Sequence, residues 1–209
     1  KDDEKSLKIF EYFLENIINE ENVVICQFIN SKLVDYLTEN ENYKIMIRKL
    51  KGEKLHFVLL KNMDNFAIWF IENGINLDYK NEYGNALHLV YSQKNIKKTN
   101  YIKNLIFKTV KTKENILKLL KQEDLFGCTP LSIAAKYGTL EKIIGIIVVC
   151  IDLKIIDSVL MDEDRRGRNV FHHAAYDSCD DDTFIYLLNL IKSDPVKMRI
   201  YLLKRNQFF

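Results

Sequence analysis

Four histidines, four cysteines and one dense acidic run are the groups in this 209-residue sequence whose types suit catalysis or metal binding. His56, His88, His172 and His173 offer acid–base or ligand chemistry near neutral pH. Cys26, Cys128, Cys150 and Cys179 stand far apart with no Cys-x-x-Cys pair. That spacing argues against a zinc ribbon or a disulfide framework and fits a reducing, intracellular setting. The run Asp177-Ser178-Cys179-Asp180-Asp181-Asp182 lacks the alternation and the turn glycine of a calcium loop. It reads instead as the start of a helix reaching Ile191, where negative charge complements the macrodipole. No Gly-rich phosphate loop, Gly-x-Ser-x-Gly or Cys–His pairing occurs. The expectation is a chain that is no enzyme and needs no cofactor and no metal.

Net charge is +2, so the global field gives no reason to infer nucleic acid or membrane as partner. Locally, residues 94 to 121 carry nine lysines (Lys94, Lys97, Lys98, Lys103, Lys108, Lys111, Lys113, Lys118 and Lys121) against Glu114 alone. Two readings stay open for this segment: a solvated helix face, or an electrostatic patch for acidic protein, anionic lipid or nucleic acid. The apolar run Ile143 to Ile151 is far short of the roughly 20 residues a bilayer span requires, and no cleavable signal pattern opens the chain. The expected location is intracellular and cytoplasmic. A start at Lys1 without methionine reads as a piece of something longer.

These groups must be held by helices. Only 7 Gly and 2 Pro interrupt a chain rich in Leu, Ile, Lys and Glu, which predicts an all-α fold. The few glycines align. Gly52 precedes Leu55-His56, Gly84 precedes Leu87-His88, Gly127 precedes Leu131-Ser132, and Gly167 precedes Phe171-His172. Steps of 32, 44 and 40 residues separate Leu55, Leu87, Leu131 and Phe171, a period near 33 with insertions of about ten and about seven. The extra residues are assigned to a longer second helix or the loop after it.

At these residues the chain resembles the ankyrin-repeat family, whose unit reads D-x-x-G-x-T-P-L-H-x-A-A-x-x-G before a second helix. Asp124-Leu125-Phe126-Gly127-Cys128-Thr129-Pro130-Leu131-Ser132-Ile133-Ala134-Ala135-Lys136-Tyr137-Gly138 matches nearly throughout, and Asp164 to Ala175 is the next best copy. The copies at Gly84 and Gly52 are one residue short between glycine and leucine, and Phe70 to Gly74 resembles the end of a second helix. The resemblance implies a helical solenoid with units 51–80, 81–123, 124–163 and 164–192. Residues 1–50 would form an N-terminal cap or divergent repeats, with helices at Leu7–Asn19, Val23–Leu37 and Tyr43–Leu50, and 193–209 a capping helix begun by Pro195. Within a unit, Thr129 caps the first helix, Pro130 fits its first position and Gly138 ends it. The alanine pairs 134–135 and 174–175 keep it thin. Leu140, Ile143, Ile144, Ile147 and Val148 form the apolar face of the second helix.

The resemblance also implies that the motif histidine bonds the backbone of adjoining turns. Equivalent positions in a stack form a line, which leaves zinc without converging ligands, and Cys128 reads as a turn residue. Ankyrin-type stacks bind proteins with their protruding turns and the exposed strip of helix one. By repeat position the partner-binding residues are Tyr83, Phe126, Lys136, Tyr137, Arg165, Arg166, Tyr176 and Asp177. These include the types that most often anchor interfaces, although an aromatic at a turn tip can equally staple its own repeat to the next. The expected function is non-catalytic protein–protein interaction by a monomeric scaffold module. The alternatives are a targeting or regulatory region of a larger enzyme or pathogen effector, which would place it in host cytosol, and electrostatic lipid or nucleic-acid binding through residues 94–121.

Overall fold

The computed structural model describes residues 8, 11–13, 41–93, 96–137, 139–176 and 181–203, with the side chains of residues 96, 97 and 176 outside that description. The described residues are mostly helical and carry one short two-stranded hairpin, as the all-α expectation requires. Backbone proximity divides them into two units. One takes the residues up to Tyr79 with Asn104–Val110; the other takes Lys80–Lys103 and everything from Lys111 on.

In the first unit, α1 (Glu41–Lys49), α2 (Glu53–Leu60) and α3 (Asp64–Glu72) bury Ile47, Val58, Phe66, Trp69 and Phe70. Helix α3 ends with Ile75 donating to the Phe70 carbonyl at 3.0 Å, which satisfies an otherwise orphaned acceptor. Gly52 does not act like the other aligned glycines. Its backbone is right-handed at φ −59°, and what it supplies is room: a Cβ there would lie 2.2 Å from that of Tyr79. The first expected helix falls mostly outside the described residues, and the second wholly so.

The second unit contains three copies of one arrangement. The first has the hairpin β1 (Lys80–Asn81) and β2 (Gly84–Asn85), then α4 (Ala86–Ser92), the Ile96–Lys103 part of α5 (Ile96–Val110), and α6 (Lys113–Lys121). In the second copy, α7 (Pro130–Tyr137), α8 (Leu140–Asp152) and α9 (Ile156–Leu160) follow the turn at Asp124. The third, after the turn at Asp164, has α10 (Val170–Tyr176), α11 (Asp181–Ile191) and α12 (Pro195–Leu202). Helices α4, α7 and α10 pack in succession, while α8 lies against α7 and α11. The inserted residues therefore build separate helices, α6 and α9, rather than lengthening the second helix. Helix α12 takes the same place in the third copy.

Gly84, Gly127 and Gly167 have φ of 88°, 81° and 76°, in each case three residues after an Asn or Asp whose side chain closes the turn. Only glycine adopts this region without strain. At Gly127 a Cβ would also sit 2.7 Å from the Arg165 backbone nitrogen. Gly127→Ala is expected to cost about 2 kcal/mol, read as a shifted urea midpoint at constant slope.

Two details of packing differ from the periodicity. The buried stripe of α8 is Lys142, Ile143, Ile146, Ile147 and Cys150, whereas Val148 is 47% exposed. The expected face is therefore rotated, because the side of α8 toward α7 and α11 starts one residue before Ile143. Ala134, Ala135 and Ala174 are buried as close stacking demands, but Ala175 is exposed.

Candidate functional site

The three turns are built alike. Asp124 Oδ1 accepts from the backbone of Phe126 (2.8 Å) and Cys128 (2.9 Å), and Asp164 Oδ1 accepts from Arg166 and Arg168, both at 2.9 Å. Asn81 does the same for Tyr83 at 3.0 Å. Successive turns are joined by their backbones: Leu125 donates to the Glu82 carbonyl (2.9 Å) and Arg165 to that of Phe126 (3.0 Å). These bonds occupy the main chain and turn side chains outward. Phe126 is 68% exposed, Tyr83 54% and Leu125 52%, and both Arg165 and Arg166 are exposed. At the end of α7 Tyr137 is 53% exposed, with the Lys136 ammonium 4.8 Å from its ring centre. Tyr176 occupies the last position of α10, with its side chain outside the description, and Asp177 lies outside the described residues altogether.

Beneath this surface the motif residues clasp the helices. The Asn85 side chain caps α4 by accepting from Leu87 (3.0 Å) and His88 (3.3 Å), while the Asn85 backbone donates to His88 Nδ1 at 3.0 Å. His88 Nε2 then donates to the Cys128 carbonyl of the next turn at 2.9 Å. The neutral ring thus ties one copy to the next, and burial holds its pKa below the usual value. Asn169 and His172 repeat the cap around α10 (3.1 and 3.3 Å), and Thr129 with Ser132 forms a looser version at 3.4 Å. The amide ends of both asparagines reach further: Asn85 Nδ2 to Leu119 O and Asn169 Nδ2 to Tyr201 O, at 2.7 and 2.8 Å. Sequence reading missed both caps. Alignment on glycine leaves the Gly84 copy one residue short, whereas alignment on Asn-x-x-His brings it into register with Thr129-x-x-Ser132.

His56 departs from its supposed equivalents. It is buried beside Tyr79, ring centres 4.8 Å apart and edge to face, with no turn of the Asp124 type before it. His173, the neighbour of a motif histidine, lies with Nε2 3.2 Å from Asp164 Oδ2 and 3.9 Å from Cys128 Sγ. All three residues are buried. A nucleophilic relay is excluded by this geometry, because thiol and carboxylate meet the same ring nitrogen and no second nitrogen passes a proton between them. Burial raises the Cys128 thiol to about 12, the protonated and unreactive form at neutral pH.

The lysine segment is less uniform than its sequence suggests. Lys98, Lys108, Lys111, Lys113 and Lys118 are exposed, but Lys103 is 5% exposed, its ammonium in the space left by the absent side chain of Gly145. Lys121 is engaged by Asp162 (2.6 Å) and the Ser158 carbonyl (2.8 Å). A second buried lysine, Lys142, donates to the carbonyls of Tyr91 (3.1 Å) and Gln93. Among the described residues no helix is long and apolar enough to cross a membrane. Comparison with protein-family models, curated proteins and solved structures finds no match to this chain.

Proposed function

We propose that this chain is an ankyrin-like stack that binds a protein partner through its turn tips and the adjoining end of helix one, without catalysis of its own. One observation carries the reading. The turns spend backbone donors on their own Asp side chains and on each other, yet leave Tyr83 and Phe126 more than half exposed together with Arg165 and Arg166, and Tyr137 is equally exposed at the end of α7. Large aromatics and arginines on a rigid backbone lose little conformational entropy on docking, which is why they anchor interfaces. Burial of Lys103 and engagement of Lys121 leave the lysine segment weaker as a continuous electrostatic patch.

The test is affinity capture with mass spectrometry, comparing the natural chain with a Tyr137→Ala, Arg165→Glu variant of unchanged circular dichroism. Loss of the captured partner is the expected result, with affinity reduced roughly a hundredfold for two anchor residues. Full retention of every partner would remove the strip from consideration. Retention combined with loss on Lys98→Glu and Lys108→Glu would move binding to the lysine segment.

A further inference from the structure

We infer that Cys128, Asp164 and His173 form a binding site for a zinc-class divalent ion, with three protein ligands and a fourth position open. One ligand atom from each, thiol sulfur, carboxylate oxygen and imidazole nitrogen, lies within 4.8 Å of the others. A tetrahedral zinc with ordinary bond lengths separates its nitrogen and oxygen donors by about 3.3 Å and its sulfur and nitrogen donors by about 3.6 Å. The corresponding distances here are 3.2 and 3.9 Å. Sulfur and oxygen approach the same ring nitrogen, Nε2. That convergence defeats a proton relay, but it is the arrangement that three donors around a common ion require.

The donor set selects the metal. Magnesium and calcium take six or more oxygen ligands, whereas one soft sulfur, one imidazole and one carboxylate suit zinc or cobalt. The expectation that equivalent positions in a stack disperse ligands along a line holds for His88 and His172. It fails for His173, which reaches the turn of its own copy and the last turn residue of the copy before.

Binding balances as follows. The Cys128 S–H bond breaks, its proton leaves to solvent and a sulfur–metal bond forms. The proton on His173 Nε2 is replaced by one on Nδ1, freeing the Nε2 lone pair. Asp164 enters as a carboxylate. One proton is released per ion. Arg168 Nε, 2.8 Å from Asp164 Oδ2, keeps that carboxylate aimed at the site, and Arg168 and Lys136 also add positive charge that weakens the site relative to an all-cysteine one. The ion would pin the Asp124–Cys128 turn to the Asp164–Arg168 turn, at the junction where Arg165 already bonds Phe126.

The test uses the full chain, reduced and stripped with chelator, titrated with cobalt(II) as a spectroscopic substitute and then with zinc(II). The expected result is saturation at one equivalent with a thiolate-to-cobalt charge-transfer band, one proton released, and displacement by zinc but not by excess magnesium or calcium. Cys128→Ser should abolish the band, and His173→Gln should weaken binding more than about tenfold. Absence of the band in the unmodified chain overturns the site whether or not the variants fold. So does its persistence in Cys128→Ser, which would assign the sulfur to another cysteine.

Discussion

Replacing Lys142 with methionine is expected to lower folding stability by about 3 kcal/mol. The residue is 1% exposed in an otherwise apolar stripe of α8. Its ammonium serves carbonyls at the C-terminal end of α4, where the helix has run out of backbone donors and its dipole is negative. Methionine keeps most of the side-chain volume, so the loss is not that of a cavity but of two acceptors left without partners. Urea unfolding reads the change, with exposed Lys98→Met as control; a difference below about 0.5 kcal/mol would show that water replaces the ammonium without cost. The pH dependence has a definite sign. Burial lowers the pKa of Lys142 below its ordinary 10.5, and Lys103 shifts the same way. Below the folded value both states are protonated and the cost of the buried charge is constant. Between the folded value and 10.5 the folded state sheds its proton first, so stability rises with pH. Lys142→Met should flatten that rise.

Asn85→Ala should cost a similar amount, again about 3 kcal/mol, by a different route. The side chain is fully buried and used at both ends: its oxygen caps α4, and its nitrogen donates to Leu119 O and Gln122 Oε1, each at 2.7 Å. Alanine removes the cap and strands a buried carbonyl at once. Asn85→Asp separates the two parts, since aspartate still caps a helix but cannot donate to Leu119. If the aspartate variant is as unstable as the alanine variant, the link to α6 dominates; if it is close to wild type, the cap does.

The features read correctly from sequence are those fixed within a few residues. Thr129-Pro130 starts α7, Asp181 and Asp182 open α11, and Pro195 begins α12, all from local backbone chemistry. What escaped depends on contacts between copies. Periodicity treats lysine as outward-facing, so it rotated the α8 stripe, and both readings of the lysine segment left Lys103 at the surface. Carbonyls at a helix end, and the bare backbone of Gly145, are not visible in a hydropathy pattern. The meeting of Cys128, Asp164 and His173 likewise needs two turns stacked before any of the three is close to another. The residues proposed to meet a partner were legible as positions in a motif, and the exposure of Tyr83, Phe126 and Tyr137 is what the folded chain adds to that reading.

The third helices of the copies are not held alike. Helices α6 and α12 are fastened from within, by the amides of Asn85 and Asn169. The shorter Thr129 has no such arm, and α9 is gripped from both neighbours instead: Lys121 reaches the Ser158 carbonyl and Asp162, and Lys197 reaches Asp157 at 2.6 Å. Those ion pairs are at least partly exposed, Lys197–Asp157 more than Lys121–Asp162, and weaken as ionic strength shortens the range of charge, while the buried amide bonds do not. Of the three copies, salt should loosen the middle one first.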